Sequence, residues 1–191
     1  MEEKSGAKAV MGASVESQKD MLLRAIAGSR WNFECYDKYG NLKWAELDRP
    51  NIITDEGFNA WLNIMFHGAP QITTWYIFPV ETDTAAATPM TYAVPGFTEW
   101  DGYSEANRQA FVGAEATAKS ITNSANKAVY TSTEDKTLYG GALVGGGTAA
   151  DTISDTAGGG TLFCYAKFSA GKPVENTDTF KIYSTISIAN A

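Results

Sequence analysis

The chain has 191 residues, 44% of them hydrophobic and 12% aromatic, which is enough apolar material for the core of one domain. Its formal net charge is −7, and no Lys or Arg occurs between Arg49 and Arg108. Because non-specific nucleic-acid binding depends on cations that neutralise phosphates, this distribution argues against a nucleic-acid partner. Charged residues make up only 19%, which fits a protein that buries surface against partners and equally fits a Thr/Ser-rich β protein.

The sequence contains no segment typical of export or membrane insertion. Its first residues are acidic and lack the apolar core of a signal peptide, and no apolar run approaches transmembrane length. Cys35 and Cys164 each lie in a strand-like run beside aromatic residues, which favours two buried free thiols over a disulfide. We therefore expect a soluble protein made in a reducing cytoplasm, with no membrane partner.

The N-terminal part of the chain differs in composition from the rest. Residues 1–14 are small and polar and predict a flexible arm. Residues 15–27 predict a short helix with Met21, Leu22 and Ile26 on one side, and these three are candidate arm contacts. The helix either packs on its own domain or belongs to an arm that reaches a neighbouring subunit.

A hairpin and a helix are predicted next. Alternating residues over 31–36 and 42–47 predict two strands, joined by a turn at 37–41, and Pro50 ends the pairing. Thr54 is a candidate N-cap for a helix over 55–67, which Gly68 terminates. The apolar residues of this helix are spaced as a core-facing stripe, namely Phe58, Trp61, Leu62 and Met65. The only His, His67, falls in the last turn, where a capping role is favoured over a ligand or a base.

The remainder of the chain alternates in the manner of β-strands. Strands are predicted at 73–80, 108–113, 118–123, 127–133, 137–144, 161–168 and 178–189, with a turn beginning at Lys172-Pro173 and a Gly-rich surface tip at 145–160. The fold class is therefore mainly β: an antiparallel β-sandwich or jelly roll with one helix at about 55–67 and an N-terminal arm. We expect residues 1–30 to form the arm and residues 31–191 a single sandwich domain.

The chain offers little catalytic or metal-binding chemistry. Residues 118–191 contain no His and no Arg, and the whole chain has no Cys/His cluster with metal-ligand spacing. The Asp-containing stretches at 81–83 and 151–155 do not match a calcium loop, and the Gly-runs lack the Lys of a phosphate loop. We expect no metal, no cofactor and no enzymatic activity.

One segment could contact a glycan or a protein partner. It combines aromatic and acidic residues, namely Phe97, Glu99, Trp100, Asp101 and Tyr103. Aromatic faces stack on sugar rings and carboxylates accept hydroxyl protons, so the segment is a candidate partner or glycan contact. Glu99 and Asp101 are also a weaker candidate for a glycosidase pair.

Three further stretches carry a pattern of motifs. The first runs from Asn51 to Asn59 and continues through Trp61-Leu62 to Thr74–Ile77. The second is Tyr92 to Glu99. The third comprises Ser120 to Asn123, Tyr139 to Val144 and Gly160 to Phe163. This pattern of a helix, a Trp-Tyr strand and a Thr/Gly-rich β half resembles a group of tailed-bacteriophage virion structural proteins, over about residues 50–190. No catalytic residues belong to the pattern, so none are transferred.

The resemblance implies a head decoration, or cement, protein or a tail-associated protein. The small chain without coiled-coil shaft segments favours the head. We therefore expect a non-enzymatic protein on the capsid surface of a virion, made in the bacterial host cytoplasm, that binds the major capsid protein and itself as a trimer or dimer. The alternative is a tail- or fibre-associated protein that binds a host receptor glycan through the segment around Trp100. A glycan hydrolase is the third hypothesis.

Overall fold

The computed structural model describes residues 29–188, which form ten strands and one helix. The strands are β1 (Arg30–Tyr36), β2 (Leu42–Pro50), β3 (Ile52–Ile53), β4 (Trp75–Val80), β5 (Gln109–Ala110), β6 (Ser120–Thr122), β7 (Ala128–Thr131), β8 (Lys136–Gly145), β9 (Thr161–Val174) and β10 (Thr179–Ser187), and the helix is α1 (Asp55–Phe66). Residues 1–28 of the predicted arm, its helix over 15–27 and the candidate contacts Met21, Leu22 and Ile26 lie outside the described residues, whereas Arg30 begins β1.

The strands form two antiparallel sheets. Sheet A has the order β2-β1-β10-β6, with β7 also pairing with β10, and sheet B has the order β3-β9-β8-β4-β5. The register sets Phe33 of β1 opposite Ile182 of β10, and Leu143 of β8 opposite Cys164 of β9. The prediction of a mainly β, antiparallel sandwich with one helix is therefore confirmed.

An aromatic core fills the space between the two sheets. Phe33 of sheet A meets Phe168 of sheet B edge to face, with ring centroids 4.6 Å apart. Phe33 also stacks on Phe180 of β10 at 6.1 Å. Trp31, Leu143 and Cys164 are buried in the same cluster. Sheets whose inner residues alternate with outer ones pack in this way because each strand directs every second side chain to the interior.

Sheet B also has an apolar outer face. Buried residues of this second cluster come from three strands and from the connection after β4, and they are Phe78, Val80, Met90, Tyr92, Ala142, Val144, Leu162 and Tyr165. Phe97 of the same connection packs on Tyr165 with ring centroids 4.8 Å apart. The connection over residues 81–108 is therefore a third layer, which covers the side of sheet B that sheet A cannot reach.

The hairpin of β1 and β2 is confirmed, but the predicted turn at Lys172-Pro173 is wrong. Strand β9 runs through both residues to Val174, with Pro173 opposite Thr137 of β8. The carbonyl of Pro173 accepts the Trp44 Nε1–H at 2.7 Å. Proline has no backbone N–H, so Pro173 takes part in β9 as an acceptor only.

Helix α1 begins as predicted, but only part of its apolar stripe faces the core, since Phe58 packs on the core cluster. The Thr54 side chain accepts the Gly57 N–H at 2.9 Å, and the Thr54 N–H donates to Phe163 O of β9 at 3.0 Å. Gly57 is the buried residue of the helix, whereas Leu62 and Met65 are exposed. The second half of the stripe is therefore exposed, while the N-terminal end of the helix is held against β9 through Thr54 and Gly57.

Replacement of Gly57 by Ala tests this attachment. A Cβ at Gly57 would lie 2.5 Å from the carbonyl oxygen of Phe163, and neither backbone can give way without moving the helix. We expect Gly57→Ala to lower the free energy of unfolding by about 1–3 kcal/mol, measured by urea denaturation. The control is Asn59→Ala at an exposed position of the same helix, which should change it by less than about 0.5 kcal/mol. Equal stability of Gly57→Ala and the wild type would contradict the attachment.

Glu46 links the two sheets at one edge. Its carboxylate lies 2.9 Å from Lys172 Nζ and accepts the Ser169 hydroxyl at 3.0 Å, so β2 is tied to β9. Burial alone would raise the pKa of Glu46, but the bonds to Lys172 and Ser169 outweigh burial and hold the pKa below its ordinary value of 4.5.

This depressed pKa predicts an acid-sensitive contribution to stability. A carboxyl whose folded pKa lies below its unfolded value stabilises the fold above the unfolded pKa and loses that effect as pH falls through the folded one. Glu46→Gln should therefore be less stable than the wild type at about pH 7, and the difference should shrink between about pH 5 and pH 3. Urea denaturation at each pH measures this, with the exposed Glu115→Gln as the control. A difference that stays constant with pH would argue against the assigned role of Glu46.

Candidate functional site

The aromatic and acidic segment of residues 97–103 runs beside the end of β4. Glu99 forms an antiparallel bridge with Val80, and the Trp100 N–H donates to Pro79 O at 3.0 Å. This pairing turns Trp100 into the sandwich, where its exposed fraction is 0%. Its indole Nε1–H donates to Glu134 Oε1 at 3.0 Å, so the polar atom of the ring also has an internal partner.

The burial of this segment corrects its predicted role as a partner or glycan contact. Trp100, Tyr103 and Glu99 are buried, so these three side chains are not available to contact a sugar or a partner. Phe97 packs on Tyr165 with one face and is half-buried. Asp101 is exposed. Because Glu99 points inward and Asp101 outward, the two carboxylates do not flank a shared cleft, and the predicted glycosidase pair is not formed.

Glu99 instead forms a buried ion pair with Arg108. The shortest distance between the two side chains, from Arg108 Nη2 to Glu99 Oε2, is 2.7 Å, and Arg108 Nε donates to both carboxylate oxygens at 3.1 and 3.0 Å. The Tyr103 hydroxyl donates to Glu99 Oε1 at 3.4 Å, and the Ser154 N–H donates to Oε2 at 2.8 Å. Both oxygens of the carboxylate are therefore fully used.

Every N–H group of Arg108 also has an acceptor. Besides Glu99, the guanidinium donates to the Tyr92 hydroxyl at 3.3 Å, to Ala150 O at 3.1 Å and to Asp155 O at 3.1 Å. Its plane lies over the Phe78 ring, with Cζ 4.4 Å from the ring centroid. The planar fork of an Arg side chain allows these bonds to diverge in several directions from one buried position.

The Gly-rich connection over residues 145–160 packs against this ion pair. The backbone N–H of Arg108 donates to Asp151 O at 2.9 Å, and the Tyr92 hydroxyl donates to Asp155 Oδ2 at 2.7 Å. Ala150 of the connection is buried. The segment is a surface connection as predicted, since Thr148, Thr152 and Ser154 are exposed, but Ala150 is buried and carbonyl groups of the segment accept hydrogen bonds from Arg108.

A small cavity of about 200 Å³ opens beside the pair. It is lined by Phe78, Tyr92, Pro95, Phe97, Thr98, Glu99, Arg108, Val144, Ser154, Asp155, Thr156 and Leu162. The polar atoms of Glu99 and Arg108 that border it already have protein partners. The third charged residue of the lining, Asp155, accepts the Tyr92 hydroxyl at 2.7 Å and the Gly158 N–H at 2.9 Å. The charged groups that line the cavity therefore all have partners within the protein.

The electrostatics of the cluster agree with a structural role. Burial raises the pKa of Glu99 above its ordinary value, although Arg108 acts in the opposite direction. Burial by itself would lower the pKa of Arg108, but the bonds to Glu99 outweigh it and keep that pKa above its ordinary value. Burial and the bond to Asp155 raise the pKa of Tyr92 to about 12. The guanidinium and the phenol therefore keep their protons at neutral pH, and neither serves as a base.

The two cysteines are buried and free, as predicted. Burial raises the pKa of each thiol to about 12, and Cys35 Sγ donates to Asp178 Oδ2 at 3.6 Å. Thiolate is the reactive form, so neither side chain is activated as a nucleophile or ligand. His67 is the C-cap residue of α1, which agrees with its predicted position.

Sequence reasoning missed Arg108 as the centre of this cluster. Arg108 is the first basic residue after Arg49, and seven carboxylates lie between them: Asp55, Glu56, Glu81, Asp83, Glu99, Asp101 and Glu105. An isolated cation that follows such a stretch is expected to meet one of those carboxylates, because a buried charge requires a partner. That signal could have identified Arg108, but it could not have selected Glu99 among the seven.

No protein-family model matches the chain, and no curated protein matches it either. Across residues 29–188, no three or more His, Cys, Asp and Glu side chains are grouped so that they could hold a metal ion. In the same range no helix is long and apolar enough to cross a membrane.

Removal of Arg108 tests the structural role of the pair. Arg108→Met leaves Glu99 buried without a cation, and we expect a loss of about 3–5 kcal/mol in the free energy of unfolding. The double variant Glu99→Leu/Arg108→Met should recover part of this loss, since no unpaired charge then remains buried.

Urea denaturation measures all variants, and Arg30→Met is the matched control. Arg30 also faces a carboxylate, Asp48 at 3.7 Å, but both side chains are at least half exposed. Arg30→Met should lower the free energy of unfolding by less than about 1 kcal/mol. If Arg108→Met lowered it by no more than Arg30→Met, the cluster would not have the structural role assigned to it.

Proposed function

We propose that the chain is a non-enzymatic structural protein of a tailed-bacteriophage virion, which decorates the capsid and stabilises the lattice of the major capsid protein. The virion setting is supported by the resemblance of residues 50–190. The observation that carries an assembly role is α1, which presents Leu62, Met65 and Phe66 to solvent on a well-packed sandwich. Contiguous exposed apolar side chains mark protein interaction surfaces more often than catalytic ones.

The chemistry of the buried charges supports this proposal over an enzyme. Glu99 and Arg108 are the most deeply buried ion pair among the described residues, and both are saturated with internal hydrogen bonds. A general acid or base must exchange a proton with substrate, which requires a free position on the carboxylate. The burial of Trp100 likewise counts against the alternative of glycan binding around that residue.

In this proposal the capsid contact belongs to the N-terminal segment, with Met21, Leu22 and Ile26 as its candidate contacts. Ser29, the first described residue, is buried. A segment that buries apolar surface on the capsid would gain about 25 cal/mol of binding free energy per Å² buried. The entropic cost of ordering the segment offsets part of this gain. Many copies on one closed lattice would act together.

Co-sedimentation with phage heads assembled without this chain tests the proposal. We expect the full-length protein to bind in a fixed ratio to the capsid protein and to raise the temperature at which the heads release DNA. The variant Met21→Ser/Leu22→Ser/Ile26→Ser should bind about tenfold or more weakly. The control, Val10→Ser/Met11→Ser, removes apolar side chains outside residues 15–27 and should bind within about twofold of the wild type.

Two results would overturn this proposal. The first is heads that neither bind the wild-type chain nor gain stability from it. The second is recovery of the chain with purified tails, which would favour the tail-associated alternative.

A further inference from the structure

Polar side-chain atoms that are buried without a hydrogen-bond partner are concentrated at one end of the sandwich. Among residues 29–188 these atoms are Ser29 Oγ, Trp31 Nε1, Arg49 Nε, Asn51 Nδ2, Asn51 Oδ1 and Ser184 Oγ. Trp31 and Ser184 are fully buried. Buried polar groups in folded proteins almost always have a partner, because an unmet donor or acceptor away from water is costly. This concentration therefore requires a cause.

Strand pairing brings these residues together. Trp31 of β1 lies opposite Ser184 of β10, and both side chains point into the sandwich. Strand β2, which pairs with β1, ends in sheet A at Pro50, and β3 begins in sheet B at Ile52. Asn51 is therefore the residue at which the chain passes from one sheet to the other, beside the start of β1. A side chain at such a crossing has no neighbour in a regular ladder.

The thiol of Cys164, on β9, lies where the side chains of Trp31 and Asn51 converge. Burial raises the pKa of this thiol to about 12, and Asn51 and Trp31 act on it in the opposite direction as hydrogen-bonding neighbours. Neither contact has the geometry of a full hydrogen bond. Sulfur is in any case a weak acceptor and S–H a weak donor, so the thiol does not satisfy an indole N–H and a primary amide.

From this arrangement we propose a binding site for a buried water molecule between β1, β10 and the crossing from β2 to β3. The water accepts the Trp31 Nε1–H and donates one hydrogen to Asn51 Oδ1. Ser184 Oγ, on the strand beside Trp31, accepts the other hydrogen. These three bonds are about the number that a buried water usually makes.

The chemistry of the unpartnered atoms selects water over an ion. They include both donors and acceptors, and water offers two of each. Only Arg49 Nε among them carries charge, and it already faces Glu46 Oε2 at 3.4 Å. The Cys164 thiol keeps its proton at neutral pH, so it provides no thiolate to hold a metal ion.

A water in this position links the two sheets. It joins Trp31 and Ser184 of sheet A to the residue that leads the chain into sheet B. Such a bridge contributes nearly as much as a direct hydrogen bond. The site belongs to the interior of the sandwich, so it does not rest on the proposed role at the capsid.

Proton NMR of the full-length protein tests the inference. The Hε1 proton of Trp31 should show cross peaks to water in both NOE and ROE spectra, with the opposite signs that mark a water bound for longer than the tumbling time of the protein. Trp100 is the control within the same spectrum. It is also fully buried, but its Nε1–H donates to Glu134 Oε1 at 3.0 Å, so its Hε1 proton should show no such pair of peaks.

A substitution at Asn51 provides the second arm. Asn51→Leu removes both polar atoms of this side chain at similar volume, so the Trp31 cross peaks should disappear. The number of long-lived waters measured by deuteron relaxation dispersion should fall by about one. Asn59→Leu, the same change at an exposed position of α1, should leave the cross peaks and the number of waters unchanged.

Two results would overturn the inference. The first is a folded wild-type chain in which Trp31 Hε1 lacks the water cross peaks. The second is a folded Asn51→Leu variant that keeps both the cross peaks and the number of long-lived waters. Circular dichroism and an unchanged Trp100 Hε1 resonance establish that the variant is folded. If Asn51→Leu does not fold, the wild-type spectrum decides by itself.

Discussion

Sheet B has two apolar faces, and sheet A can cover only one of them. The remaining face carries Phe78, Val144 and Tyr165, which must be removed from water by something other than regular secondary structure. The connection over residues 81–108 meets this need with Met90, Tyr92 and Phe97, and the connection over 145–160 is hydrogen-bonded to it through Arg108. Most of the irregular structure in the chain follows from it, because these segments are a packed layer and are not free to be simple surface loops.

A layer made of connections brings a difficulty that a third sheet would not. Irregular backbone carries N–H and C=O groups that no strand ladder satisfies, and burial without partners would be costly. Arg108 resolves much of this, since it donates to Ala150 O and Asp155 O while Glu99 accepts the Ser154 N–H. The ion pair thus supplies hydrogen-bond partners to backbone groups of the third layer. An apolar pair of similar volume would leave those groups without partners.

Helix α1 is attached to the sandwich in a different way, by contacts at one end only. The helix is fastened by its cap, by the close approach of Gly57 to Phe163, and by Glu56, whose carboxylate accepts the N–H groups of Tyr92 and Leu162 at 2.8 and 2.6 Å. All of these contacts lie at its N-terminal end. A helix held at one end presents the other end in a fixed orientation, so its apolar strip keeps a defined shape. This is the property that a surface for regular assembly requires.

Local patterns in the sequence determined the elements whose signals are complete within a few residues. The alternation in β1 and β10, the turn at 37–41, and the Thr54 cap with Gly68 after the helix all follow from steric and hydrogen-bonding rules that act over one turn or one strand. The mainly β class and the burial of both cysteines followed from the same patterns.

Tertiary structure decided everything that depends on which distant segments meet. An i, i+3, i+4 stripe shows that a helix has an apolar side, but the core of the same chain or a partner can cover that side equally well. In the folded chain Phe58 packs on the core and Met65 is exposed. Likewise an aromatic and acidic segment looks the same whether it faces sugar or core. The choice of Glu99 for Arg108 and the inward turn of Trp100 required the third layer, because burial is a property of the assembled sheets and not of the residues that become buried.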